Sequence, residues 1–222
     1  MKKLILSVVA LGLTVGVASA QDRYLDEIFT DVTVTSNVVF GENYKFVPPS
    51  PNPPISDLVM DVYEGTGDTE TGRAVVICLH TGNFLPKYFN GSFTGNNQDS
   101  SLVEAAKSFA KRGYLVLAPN YRLGWDPLNS DADVRRGTLL NAVYRGLNDV
   151  GSCVRFIKKE ASTYGIDPNK VILYGEGSGG YLSLAYVSLD RMEELEIEKF
   201  VDANGDLYVD TAVVGNIQGS GG

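Results

Sequence analysis

Histidine is nearly absent from this sequence: its 222 residues include one, at position 80. That excludes a multi-histidine metal centre and leaves any histidine-dependent acid–base chemistry a single place to draw from. Cysteine is almost as scarce. Cys78 and Cys153 are too few for a disulfide framework or a Cys-rich zinc site, and two buried free thiols are expected rather than a bridge. Basic charge is short as well, with 19 Lys+Arg against 27 Asp+Glu and a net charge of −8. An acidic balance argues against a nucleic-acid partner, whose phosphates need a basic surface. Neither a metal nor a cofactor is expected, and oligomeric state is not legible. What remains, at 44% hydrophobic and 21% charged residues, is a chain able to bury a real core.

The longest apolar run, Leu4 to Val17, follows Lys2 and Lys3 and ends in Ala18-Ser19-Ala20. A charged start, an apolar centre and an A-x-A ending form the pattern of a secretory signal peptide over residues 1–20. A membrane anchor needs ~20 apolar residues, more than this run supplies. Removal of Lys2 and Lys3 with the signal leaves 19 − 2 = 17 basic against 27 acidic residues, a net charge of −10. The mature chain is expected to be secreted or extracytoplasmic, with no membrane span.

Val32, Val34, Val38, Val39 and Phe40 predict a strand near 32–40, and five prolines between Pro48 and Pro54 an extended connection. Residues 21–56 are read as this strand and connection, and 57–222 as one domain. Alternation at Leu58, Met60 and Val62 predicts a half-exposed strand. The unbroken apolar runs 74–79 and 114–118 predict strands buried on both faces. Ser101-x-x-Glu104 has capping-box spacing and opens a helix with Leu102, Ala106, Phe109 and Ala110 on one face, stopped by Gly113. A long helix is predicted from about 134 to 163, then a strand at 171–174 entered by the turn Asp167-Pro168, then a helix to about 188. The order β, β, β, α, β, α, β, α predicts an α/β domain with a mostly parallel sheet and flanking helices. Asp202, Asn204 and Asp206 have the spacing of a calcium loop. Leu207 and Val213 stand where such a loop needs Gly and Glu, so a turn at Asn204-Gly205 is favoured.

Ligands of open α/β sheets bind beyond the carboxyl ends of the strands. Two such ends are unusual: His80-Thr81-Gly82-Asn83-Phe84, and Gly175-Glu176-Gly177-Ser178-Gly179-Gly180. Read as G-x-G-x-x-G, the second is a weak dinucleotide fingerprint. It comes late in the chain, and no clear strand with a terminal acid follows its helix. Read as a strand–elbow–helix turn of the G-x-S-x-G kind, it is a candidate nucleophile site.

Taken in order, Asp61-Val62-Tyr63, the His80–Phe84 loop, Asn120-Tyr121-Arg122-Leu123-Gly124, Asp149, Tyr164-Gly165-Ile166-Asp167-Pro168 and Gly175–Gly180 resemble the α/β-hydrolase superfamily in its carboxylesterase and lipase-like branch. The resemblance spans about residues 57 to 188. It implies an α/β-hydrolase fold, acyl transfer on small carboxylic esters, and an oxyanion hole formed by N–H groups of Gly82, Asn83 and Ser178. His80 would be a structural part of that loop. The elbow is degenerate, because the third position of the family's G-E-S-A-G-G pattern, the nucleophile serine, is Gly177 here. Ser178, one place later, is either a shifted nucleophile or a serine at a helix start. The family's order places the acid and histidine after the nucleophile, and no histidine follows residue 80, so no complete triad lies within this chain. The domain is therefore read as incomplete at its C-terminus, with Thr211–Ile217 as one further strand. Two functions stay open: a carboxylic ester hydrolase, or a non-catalytic binding or structural module with the same fold. A long loop bearing Tyr88, Phe89, Asn90, Phe93, Asn96 and Asn97 stands beside this region. Arg122 and Asp149 are read as an ion pair or as helix-facing polar groups.

Overall fold

The computed structural model describes residues 23–44, 54–86, 95–189, 191–195 and 197–209. The expected signal segment 1–20, most of the proline-rich connection, the aromatic positions 88–93 and the strand expected at 211–217 lie outside the described residues. Five strands, β1 (Val32–Tyr44), β2 (Ile55–Gly65), β3 (Arg73–Leu79), β4 (Leu115–Pro119) and β5 (Ile166–Gly175), form one sheet in the order β1-β2-β4-β3-β5. Three helices, α1 (Ser100–Lys111), α2 (Ala132–Lys159) and α3 (Ser178–Ser188), alternate with them in the expected order. The sheet is mixed: β3 runs parallel to β4 and β5, whereas β2 is antiparallel to β1 and β4.

β3 has no polar face because both of its faces are covered. Val75, Ile77 and Leu79 pack with Leu147, Val150, Cys153, Val154 and Ile157 of α2 and Leu182 of α3. Val76 and Cys78 point the other way, to Leu102, Ala106 and Ala110 of α1. Strict alternation along a strand sandwiched between helix layers produces the continuous apolar run. Burial pushes the Cys78 thiol up to about 12, and the Cys153 thiol is raised for the same reason; both are free.

Several boundaries differ from expectation for identifiable reasons. β1 runs on to Tyr44 because register shifts after Thr35 and Val39 let it bend along β2. At the first shift Asn37 takes φ +58°, and its N–H donates to the buried Asp61 carboxylate at 3.0 Å. The capping box does not form. Asp99 stands at the N-cap of α1 without a side-chain cap bond, and the Ser101 hydroxyl donates to Glu176 Oε2 at 2.6 Å instead. α2 starts at Ala132, where Asp131 accepts the Asp133 N–H at 2.8 Å, and ends at Lys159. β5 includes Asp167 and Pro168, since its described sheet bonds run to β3 alone and an edge position tolerates a missing N–H. The turn forms one residue earlier than expected: the Gly205 N–H donates to the Asp202 carbonyl at 3.1 Å across Ala203 and Asn204, Val201 bridges Leu207, and the Asp202 carboxylate accepts the N–H groups of Asn204 and Asp206. Arg122 and Asp149 form a buried bidentate ion pair, closest at 2.7 Å, with the Arg122 N–H also bound to Asp149.

Candidate functional site

Parallel pairing of β3 with β5 brings the two unusual loops together. Leu79 lies opposite Gly175, and the Glu176 N–H donates to the Leu79 carbonyl at 3.2 Å, extending the ladder one residue past the strand end. Close approach requires glycine on both sides of the turn. A Cβ on Gly175 would stand 2.3 Å from the Gly179 carbonyl, and one on Gly179 would stand 2.2 Å from the Leu79 carbonyl oxygen. Between them Gly177 takes φ +53°, ψ −118° and caps α3, which starts at Ser178. That backbone region is sparsely populated and holds non-glycine residues only under strain. The tight turn is thus centred on residue 177, with small residues two places away on each side. Glu176 points away from the turn, accepting from Ser101 of α1 and from the Tyr174 hydroxyl at 3.0 Å.

The other loop is a left-handed turn. The Leu85 N–H donates to the Gly82 carbonyl at 2.9 Å across Asn83 and Phe84, whose φ values are +51° and +56°. Two positive φ values inside a four-residue turn mark the I′ class, which asparagine accepts readily and phenylalanine does not. Phe84 is held there by burial, with its ring near Tyr121 and edge-on to Tyr181. The indole N–H of Trp125 fixes the Asn83 carbonyl at 3.2 Å.

Ser178 is buried and fully engaged. Its hydroxyl oxygen accepts the Asn83 N–H at 3.1 Å and lies 3.0 Å from the Tyr121 hydroxyl. Tyr121 donates its own proton to the His80 carbonyl at 2.7 Å, so the Ser178 proton is the one shared with Tyr121. Burial raises the Tyr121 pKa, which keeps that phenol neutral, so its oxygen is no general base. His80 is fully buried and stacked on Tyr121 at 4.0 Å. Its Nδ1 lies 2.6 Å from the Thr81 carbonyl, which can only accept, so Nδ1 carries the proton. Nε2 is buried with no hydrogen-bond partner among the described residues, and desolvation lowers the pKa to about 4. Among the described residues no group of three His, Cys, Asp or Glu side chains stands close enough to hold a metal. No helix among them is long and apolar enough to cross a membrane.

The sequence matches the BD-FAE family over residues 60–219. The chain belongs to this family. It is a carboxylesterase-like family of the α/β-hydrolase class, as the resemblance in the sequence implied. Human bile salt-activated lipase is 29% identical over 138 residues, 61% of this chain and 17% of the lipase. Carboxylesterase patB of Penicillium expansum is 27% identical over 136 residues, 55% of this chain and 22% of the esterase. The chain therefore spans about a fifth of the length of these curated relatives. Among solved structures, Esterase B from Lactobacillus rhamnosis is similar at a TM-score of 0.49 and 19% identity, covering 79% of this chain and 45% of that one.

Within this BD-FAE chain, Gly82, Asn83 and Ser178 stand together at the ends of β3 and β5. Their arrangement adds two facts. The Asn83 N–H is already satisfied by the Ser178 hydroxyl, and Ser178 lies one place past the centre of the turn. Sequence reasoning included Tyr121 and Thr81 in its motifs but gave neither a role. Tyr121 is a buried polar ring whose hydroxyl ties the serine to the histidine loop. Thr81 stands between His80 and Gly82 in the first of the two unusual loops, and that position was the available signal.

Proposed function

We propose that this domain keeps the carboxylesterase fold and engages a small carboxylic ester or acyl ligand without forming an acyl-enzyme at its elbow. One observation carries the reading: the residue in the elbow conformation is Gly177, and the neighbouring serine is buried with its proton directed to a neutral tyrosine. A nucleophilic serine needs a base within hydrogen-bond reach to take that proton. The described partners of the Ser178 hydroxyl are an N–H group and a phenol. The His80 ring proton is committed to the Thr81 carbonyl, and its other nitrogen meets no hydroxyl among the described residues.

Family membership favours a second reading, an ester hydrolase in which Ser178 is a displaced nucleophile. Hydrolysis of p-nitrophenyl acetate by the wild-type chain and by Ser178→Ala separates the two. Equal background rates support the binding module; a wild-type rate abolished by the substitution establishes the hydrolase. We further propose that the protein is exported, on the strength of the Lys2-Lys3, Leu4–Val17 and Ala18-Ser19-Ala20 pattern. N-terminal sequencing of the protein recovered outside the cytoplasm, starting at Gln21, tests this.

A further inference from the structure

Gly177 lacks a side chain, and its neighbour leaves no room for one. A Cβ built on Gly177 would stand 2.4 Å from the Thr81 hydroxyl oxygen and 3.3 Å from Thr81 Cβ. The first distance is far inside van der Waals contact, and the second is tighter than ordinary packing. The Thr81 hydroxyl therefore occupies the space that the side chain of an elbow residue needs. Thr81 is part-exposed, and its hydroxyl has no hydrogen-bond partner among the described residues.

We propose that Thr81 and Gly177 are a mutually exclusive pair. The junction of β3 and β5 accommodates one side chain, and here the loop after β3 supplies it instead of the turn before α3. This rests on reading Gly177 as the elbow residue. The elbow is then closed to a nucleophile twice, by the missing side chain and by the threonine in its place. Thr81 determines whether the turn can carry a serine at all. Restoring a serine at position 177 without altering Thr81 places two groups in one space.

A double-mutant cycle on the whole chain tests the pair by thermal unfolding, without substrate. Gly177→Ser carries two burdens: a positive φ that any side chain must endure, and the collision with Thr81. The first is the same whichever residue occupies position 81 and cancels in the cycle. Gly177→Ser should lower Tm by roughly 3–6 °C less when combined with Thr81→Gly than when made alone. Thr81→Val keeps the volume without the hydroxyl and should give no such relief. Equal losses with and without Thr81→Gly would overturn the proposal, showing that the threonine turns aside freely. Relief by Thr81→Val as large as by Thr81→Gly would overturn it too, since space would not be the cause. Should Gly177→Ser alone not fold, recovery of folded protein on adding Thr81→Gly supports the pair, and failure to recover it contradicts the pair. Ester turnover lost in Ser178→Ala would overturn the functional reading and leave this cycle untouched.

Discussion

The backbone N–H of Asn83 donates to the hydroxyl of Ser178 at 3.1 Å, across the junction of two loops 95 residues apart in sequence. A donor expected to face a ligand oxygen is thus satisfied by the protein itself. The first consequence concerns stability. Ser178→Ala removes that acceptor and the bond to Tyr121, and should destabilise the fold by about 1 kcal/mol, the usual net value of such a bond. Urea unfolding measures it, and the midpoint should fall with an unchanged slope.

His80 should make stability depend on pH. Its folded pKa is depressed to about 4 by desolvation, against 6.5 when exposed. Between these values the unfolded chain binds a proton that the folded chain refuses. The stabilising contribution is therefore complete above pH 6.5 and is lost as pH falls towards 4. The full difference is of order 3 kcal/mol. Unfolding midpoints at pH 7, 6 and 5 should decline, and His80→Gln should flatten that part of the decline.

The elbow glycines should be among the least replaceable residues of the fold. Gly179→Ala and Gly175→Ala place a Cβ within 2.3 Å of backbone atoms that cannot move aside without separating α3 from the sheet. Losses of 3 kcal/mol or more are expected, at the upper end of overpacking effects. Gly67→Ala is the control. Its φ is also positive, at +81°, but nothing lies within 4 Å, so the cost should be about 1 kcal/mol of strain. Circular dichroism melts of the three variants rank them.

Much of this architecture was legible because burial writes itself into composition. Ala74–Leu79 could be read as a two-sided strand from its unbroken apolar run, and α1 from Leu102, Ala106, Phe109 and Ala110 on one face. The errors came where a side chain chose a distant partner over a local one. Ser101 has capping-box spacing yet bonds to Glu176, 75 residues away, because the elbow brings that carboxylate over α1. The candidate site was legible as two loops but not as a junction. Nothing in the spacing of Thr81 and Gly177 says that their atoms compete for one space. That follows only from the parallel register of β3 and β5.

The buried ion pair is a further test of the frame behind the site. Arg122 meets Asp149 at 2.7 Å, holds it with its own N–H at 2.8 Å, and donates to the Tyr44 carbonyl. Asp149→Ala leaves that guanidinium in the interior without its counter-charge and should cost about 3–5 kcal/mol. Equilibrium urea unfolding reads the loss directly.

The central claim, that the elbow carries no reactive serine, is tested most directly by intact-mass measurement after treating the wild-type protein with a fluorophosphonate probe. The account predicts an unchanged mass. A single adduct, mapped by peptide sequencing to Ser178, would contradict it.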